Sequence, residues 1–123
     1  SHHRVLIIDD VKPIRCLLST VLRRSGHEVV LAANGLDGLA KARCYRPSLI
    51  LLDWHMHHLS GEDVLRELRR HPDTCSIPII MMTADASARE VGIAKGVQGC
   101  LIKPFDLESL NRLIEQWIQY THV

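Results

Sequence analysis

Short apolar runs alternate with segments of helical periodicity along the chain, five times over. The runs at 4–9, 28–32, 49–53, 78–83 and 100–103 are rich in Val, Ile and Leu and show no polar alternation. A strand buried on both faces reads this way, whereas a strand with one wet face alternates. Between the runs, Ile14, Leu17, Leu18, Val21 and Leu22 recur at helix spacing, as do Leu107, Leu110, Leu113, Ile114, Trp117 and Ile118. A second helix, carried by Leu36, Leu39 and Ala40, is weaker, and a fourth around Ser87 to Ala94 is weakest. Pro13 suits a first helical turn and Ser25-Gly26 closes that helix. Asn34-Gly35, Arg46-Pro47 and His71-Pro72-Asp73 punctuate the remainder.

Strand–helix alternation with right-handed crossovers predicts an α/β fold, a doubly wound five-stranded parallel sheet. The expected strand order is 2-1-3-4-5, in a flavodoxin-like three-layer sandwich. With 123 residues, 46% of them hydrophobic, the chain has the material for one domain spanning 1–123. It opens at Ser1-His2 without a Met and stops at the fifth helix, so excision from a longer protein is expected. A formal net charge of +1 with no basic stripe argues against direct nucleic-acid binding. The apolar runs are strand-sized and no signal-peptide pattern precedes them, so no membrane association and a cytoplasmic location are expected. The four cysteines, Cys16, Cys44, Cys75 and Cys100, include no C-x-x-C pair, which argues against a zinc site or a disulfide scaffold.

In an open α/β sheet, ligands gather beyond the carboxyl ends of the strands. Strand one ends in Asp9-Asp10, strand three in Asp53, strand four in Thr83 and strand five in Lys103. Each has an innocent explanation alone: Asp10 or Thr83 could cap a helix, and Lys103 could lay its stem on the sheet. Together they require three acids to converge in one crevice, where like charges repel and raise one another's pKa. A hard divalent cation removes that objection, since Mg²⁺ is commonly held by one or two carboxylates plus phosphate oxygens. Asp53 would then supply the nucleophilic oxygen toward a phosphoryl group. Lys103 would neutralise phosphoryl oxygens and Thr83 would donate a hydrogen bond to one of them.

With these residues in place the chain resembles the receiver domains of two-component response regulators, from Arg4 to about Tyr120. The residues that carry the resemblance are Asp9-Asp10, Asp53 followed by Met56 and Gly61, Thr83-Ala84, and Lys103-Pro104-Phe105. It implies that Asp53 is the phosphoryl acceptor, charged from a phosphohistidine on a histidine kinase or histidine phosphotransfer protein. It further implies Mg²⁺, with Mn²⁺ as a substitute, bound by Asp10, Asp53 and the backbone carbonyl of His55, with Asp9 acting largely through a metal-bound water. It implies a cis Lys103-Pro104 peptide, and signalling to an output domain or downstream protein through the face made by helix four, strand five and helix five. Homodimerisation on phosphorylation is compatible with it. The domain would then be a switch and not an enzyme, beyond self-phosphorylation from small donors and autodephosphorylation.

Two positions depart from the family pattern. His57 stands where a Pro usually follows the acceptor by four residues, and Cys100 stands where Tyr or Phe often serves as a rotamer switch. His55, His57 and His58 crowd one loop, but they lack i, i+4 pairing, so a solvated loop bordering the site is expected rather than a transition-metal centre. Trp54 reads as an apolar residue at a strand end. The alternatives fit less well. A haloacid-dehalogenase-like aspartyl phosphatase carries D-x-D on strand one, and a flavin or nucleotide binder would carry Gly or Ser/Thr amides where this chain has Asp9-Asp10. A pseudo-receiver that only binds partners typically loses an acid or the lysine, and neither is lost here.

Overall fold

The computed structural model describes residues 3–120; Ser1-His2, where the chain opens, lies outside the described residues. The elements alternate strictly: β1 (Arg4–Ile8), α1 (Lys12–Arg24), β2 (Glu28–Ala32), α2 (Gly35–Tyr45), β3 (Leu49–Asp53), α3 (Gly61–Arg70), β4 (Ile79–Thr83), α4 (Ala88–Lys95), β5 (Gly99–Ile102) and α5 (Leu107–Tyr120). The five strands are all parallel, as the run pattern predicts, and lie in the order β2-β1-β3-β4-β5 expected of a flavodoxin-like sandwich.

The period of two along each strand divides the core. Leu6, Ile8, Ile50, Leu52, Ile79 and Met81 face one side and pack with Ala42, Val64, Leu65 and Leu68 from α2 and α3. Val5, Ile7, Leu49, Leu51, Ile80 and Met82 face the other, against Leu18 and Leu22 of α1 and Leu110 and Ile114 of α5. Both faces of the sheet are covered, and this is why the runs lack polar alternation. Each such Leu or Ile withdrawn from water is worth about 1.5–3 kcal/mol before chain entropy is charged.

Helix α2 shows why its periodicity is faint. Leu36 is 74% exposed and Ala40 is also exposed, while the inward face is Gly35, Gly38, Leu39 and Ala42. A Cβ at Gly38 would stand 2.6 Å from the Ile8 side chain, so the helix lies close on β1 through small residues that carry no hydrophobic signal. Its start is fixed by Asn34, whose side chain accepts from the Asp37 amide at 2.8 Å. Helix α3 opens with a reciprocal capping box between Ser60 and Asp63. Among the described residues, no helix is long and apolar enough to cross a membrane. The four cysteines are free, Cys16, Cys44 and Cys75 at the surface and Cys100 half-buried.

Candidate functional site

The strands end in register, and their last residues or the ones just beyond supply the chemistry. Asp9 follows β1, Asp53 closes β3, Thr83 closes β4 and Lys103 follows β5. Ligand oxygens of Asp9, Asp10 and Asp53 all lie within 4.8 Å of one another. Lys103 Nζ sits 3.4 Å from Asp9 Oδ2 and 3.5 Å from Asp53 Oδ1. Asp9, Asp53 and Thr83 are buried, Asp10 is half-buried, and Lys103 reaches the acids from a partly solvated position. The structure thus brings Asp9, Asp10, Asp53 and Lys103 together, while Thr83 closes the strand paired with β3 and its hydroxyl contacts His55 and Asp85.

The innocent explanations lapse. Helix α1 begins after Val11 and α4 after Ser87, and neither has a side-chain cap from Asp10 or Thr83. Instead the Val11 amide donates to Asp9 Oδ1 at 2.9 Å, and Arg15 Nη1 donates to the Asp9 carbonyl at 2.8 Å. Arg15 therefore pins the backbone of the acid pair from one turn inside α1. No spacing rule marked this contact, because it is a side chain reaching a main-chain oxygen.

One ammonium does not balance three carboxylates. Burial, then the charge of Asp9, pushes the Asp53 carboxyl up to about 6, against the lowering effects of Lys103 and the His55 amide, with Asp10 adding to the rise. The His55 amide donates to Asp53 Oδ1 at 3.3 Å. An acid cluster with this excess of negative charge fits a hard cation, whose charge would return Asp53 to its ionised form. The donor set is all oxygen, which suits Mg²⁺ rather than zinc or copper. The imidazoles of His55, His57 and His58 form no metal-holding group among the described residues.

The loop after β3 is set by backbone contacts. The Trp54 amide donates to the Met82 carbonyl at 2.9 Å and the Gly61 amide to the Trp54 carbonyl at 3.0 Å. Trp54 is 7% exposed and belongs to the core on the α3 side. At Gly61 a Cβ would meet the Asp53 carbonyl oxygen at 2.6 Å and Trp54 Cα at 2.6 Å, so glycine is what lets α3 start against the main chain of Asp53.

The departures acquire structural content. The His57 amide donates to Asp10 Oδ2 at 3.4 Å, a bond that proline at this position could not make. His58, next in the loop, adopts φ of 67°. Cys100 borders a groove of about 470 Å³ shared with Arg89, Phe105, Arg112 and Leu113. The Lys103–Pro104 peptide is cis. The imidazole of His55 is exposed and reaches back over the site, its Nε2 2.8 Å from Thr83 Oγ1.

Residues 5–115 match the protein family described as response regulator receiver domain. Over 120 residues the chain is 38% identical to a probable transcriptional regulator, ycf27, of Cyanophora paradoxa, covering 96% of this chain and 49% of that protein. It is 37% identical over 113 residues to protein PilH of Pseudomonas aeruginosa, covering 90% of this chain and 93% of PilH. The chain thus spans about half the length of the ycf27 relative and nearly all of PilH. The receiver domain of a sensor histidine kinase from Pseudomonas aeruginosa, solved with a magnesium ion coordinated in its active-site cleft, superposes with a TM-score of 0.88 at 29% identity, covering 97% of this chain and 99% of that one.

Proposed function

The chain belongs to the response regulator receiver domain family, and from that premise we propose that Asp53 accepts a phosphoryl group from the phosphohistidine of a histidine kinase or histidine phosphotransfer protein. The observation that carries this reading is the convergence of Asp9, Asp10 and Asp53 within 4.8 Å, with Lys103 on two of them. An ionised Asp53 oxygen attacks phosphorus, the P–N bond to the donor imidazole breaks, and the departing imidazole takes up a proton from solvent. An acyl phosphate is left on Asp53. Lys103 moves with little cost from pairing two carboxylates to pairing phosphoryl oxygens, and Thr83 donates its hydroxyl proton to another of them. Asp9, Asp10, Asp53 and the backbone carbonyl of His55 would hold Mg²⁺, or Mn²⁺ in its place, and the cation would supply charge neutralisation for those oxygens. Hydrolysis of the acyl phosphate by water resets the site. The chemistry ends there, with acceptance and loss of one phosphoryl group.

Output is read on the face formed by α4, β5 and α5. The exposed Val91 and Ile93 of α4, and the groove beside Cys100, support that placement. Phosphorylation would shift a pre-existing equilibrium of that face toward a form with higher affinity for an output domain, a downstream protein or a second copy of the chain. Because position 100 is a cysteine, the shift proceeds without a rotating aromatic ring there.

The test is incubation with Mg²⁺ and acetyl phosphate followed by intact and peptide mass measurement. One added phosphoryl group that maps to Asp53 and is lost in Asp53→Asn is expected. Modification at Asp9, or continuous turnover of unrelated phosphomonoesters, overturns the reading.

A further inference from the structure

His55 is solvent-exposed, yet its Nε2 lies 2.8 Å from the hydroxyl of a residue that is only 1% exposed, Thr83. That hydroxyl is already engaged. The Asp85 amide donates to Thr83 Oγ1 at 3.0 Å, and the Asp85 carbonyl stands 3.4 Å away as a long, weak acceptor. A hydroxyl has one proton and two lone pairs, so its partners can be counted. Asp85 N–H takes one lone pair. If the His55 Nε2 accepted, it would consume the only proton, and Thr83 would have none for a phosphoryl oxygen. If Nε2–H donates, both lone pairs are filled from the protein side and the proton keeps one direction, served only by the weak Asp85 carbonyl until a stronger acceptor arrives. Thr83 and Asp53 end adjacent paired strands, β4 and β3, so that direction matters for a group carried on Asp53.

Resting on the phosphoacceptor reading above, we propose that His55 is a positioning residue whose Nε2–H donates to Thr83 Oγ1 and commits the single Thr83 proton to the phosphoryl group on Asp53. The imidazole touches neither the phosphorus nor the acceptor oxygen; it acts by filling the lone pair that would otherwise let the hydroxyl rotate. This is orientation before reaction, so no group has to reorganise while charge develops. It differs from the backbone role expected of the same residue, since a substitution at His55 leaves its carbonyl in place. Because the side chain is exposed, its removal also leaves the core intact.

A double-mutant cycle separates this from alternatives. The rate of phosphoryl uptake from acetyl phosphate with Mg²⁺ is measured for wild type, His55→Leu, Thr83→Ala and the double variant. Loss of the orienting bond in His55→Leu is expected to slow uptake about fivefold, and the double variant is expected to be no slower than Thr83→Ala alone. His55→Gln, which keeps an N–H donor, recovers part of the rate. A second readout needs neither metal nor phosphoryl group: long-range proton–nitrogen correlation of the His55 ring, with Nε2 protonated and its resonances moved by Thr83→Ala. Multiplicative effects in the cycle, or an Nδ1-protonated ring unmoved by Thr83→Ala, overturn the proposal while leaving Asp53 as acceptor. Absence of any adduct on the wild type overturns the acceptor reading itself, and this proposal falls with it.

Discussion

Gly61 presses the first turn of α3 against the carbonyl of Asp53 so closely that a Cβ at position 61 would stand 2.6 Å from that oxygen. Backbone lies on both sides of this contact, so no flexible side chain can swing away to relieve it. Gly61→Ala is therefore expected to destabilise the protein by about 1–3 kcal/mol, the usual range for overpacking. Part of the strain should fall on the loop that carries the acceptor. Urea unfolding measures the first effect, and a weaker Mg²⁺ response in the same variant measures the second.

Asp53 makes stability depend on pH in a definite direction. Its carboxyl titrates at about 6 in the metal-free folded protein against an ordinary 3.8, so the folded state holds the proton that the unfolded state has lost. Stability from this group is complete below about pH 4 and is lost as pH rises through about 6. Asp53→Asn, which cannot ionise, should then gain up to about 3 kcal/mol over wild type at pH 7.5 and nothing at pH 4, from the conversion of about two pH units. Denaturant unfolding across that range without metal gives the comparison. A gain that is flat with pH would contradict it.

Magnesium should reverse the penalty. By binding the folded acids and not the unfolded chain, a tenfold excess over Kd is expected to add about 1.4 kcal/mol. The same titration should perturb the fluorescence of Trp54, whose amide and carbonyl are tied to the loop. Trp117 also emits, so the change should vanish in Trp54→Phe and persist in Trp117→Phe.

His57 offers a test of a single backbone proton. His57→Pro removes the amide that donates to Asp10 Oδ2, whereas His57→Ala keeps it. At 3.4 Å the bond is long, so a change of about twofold to fivefold in Mg²⁺ affinity is expected for the Pro variant and almost none for the Ala variant. Calorimetric titration distinguishes them.

Arg69 carries stability and no chemistry. Its guanidinium donates to the carbonyls of Cys75, Ile77 and Gly96 and to Gln98 Oε1, clipping the end of α3 to the loops on either side of β4 and α4. Arg69→Leu removes all four donations, though Gln98 Oε1 keeps the Ile79 amide at 2.7 Å, and should cost about 2–4 kcal/mol in unfolding experiments. Phosphoryl uptake at 20 °C should be unchanged, because none of these groups reaches the strand ends that hold the acids.

Run length, turn chemistry and period were enough to name the five strands and to put Asp9, Asp10, Asp53, Thr83 and Lys103 at one edge, while the flavodoxin-like class supplied the expected strand order. These are local signals: an apolar run names its strand, a Gly or Pro its boundary, and the crossover rule sends every strand the same way. Helix α2 was faint for an equally physical reason, since a face of glycine and alanine that lets a helix lie close on β1 has no hydrophobic period to detect. Departures from the family pattern at His57 and Cys100 were visible as letters, but not their surroundings: an amide proton that His57 supplies to Asp10, and a groove that Cys100 borders.

Tertiary structure alone decided the rest. That Asp53 should be an acceptor followed from the chain, whereas its raised pKa depends on burial and on the charge of Asp9. The bond between His55 and Thr83, the Arg15 contact to Asp9 and the Arg69 clip join groups whose separation along the chain encodes no distance. Sequence determines which chemical groups reach the sheet edge, because the order of short-range elements sets it. Only packing sets how near those groups come, and so which of them share a proton.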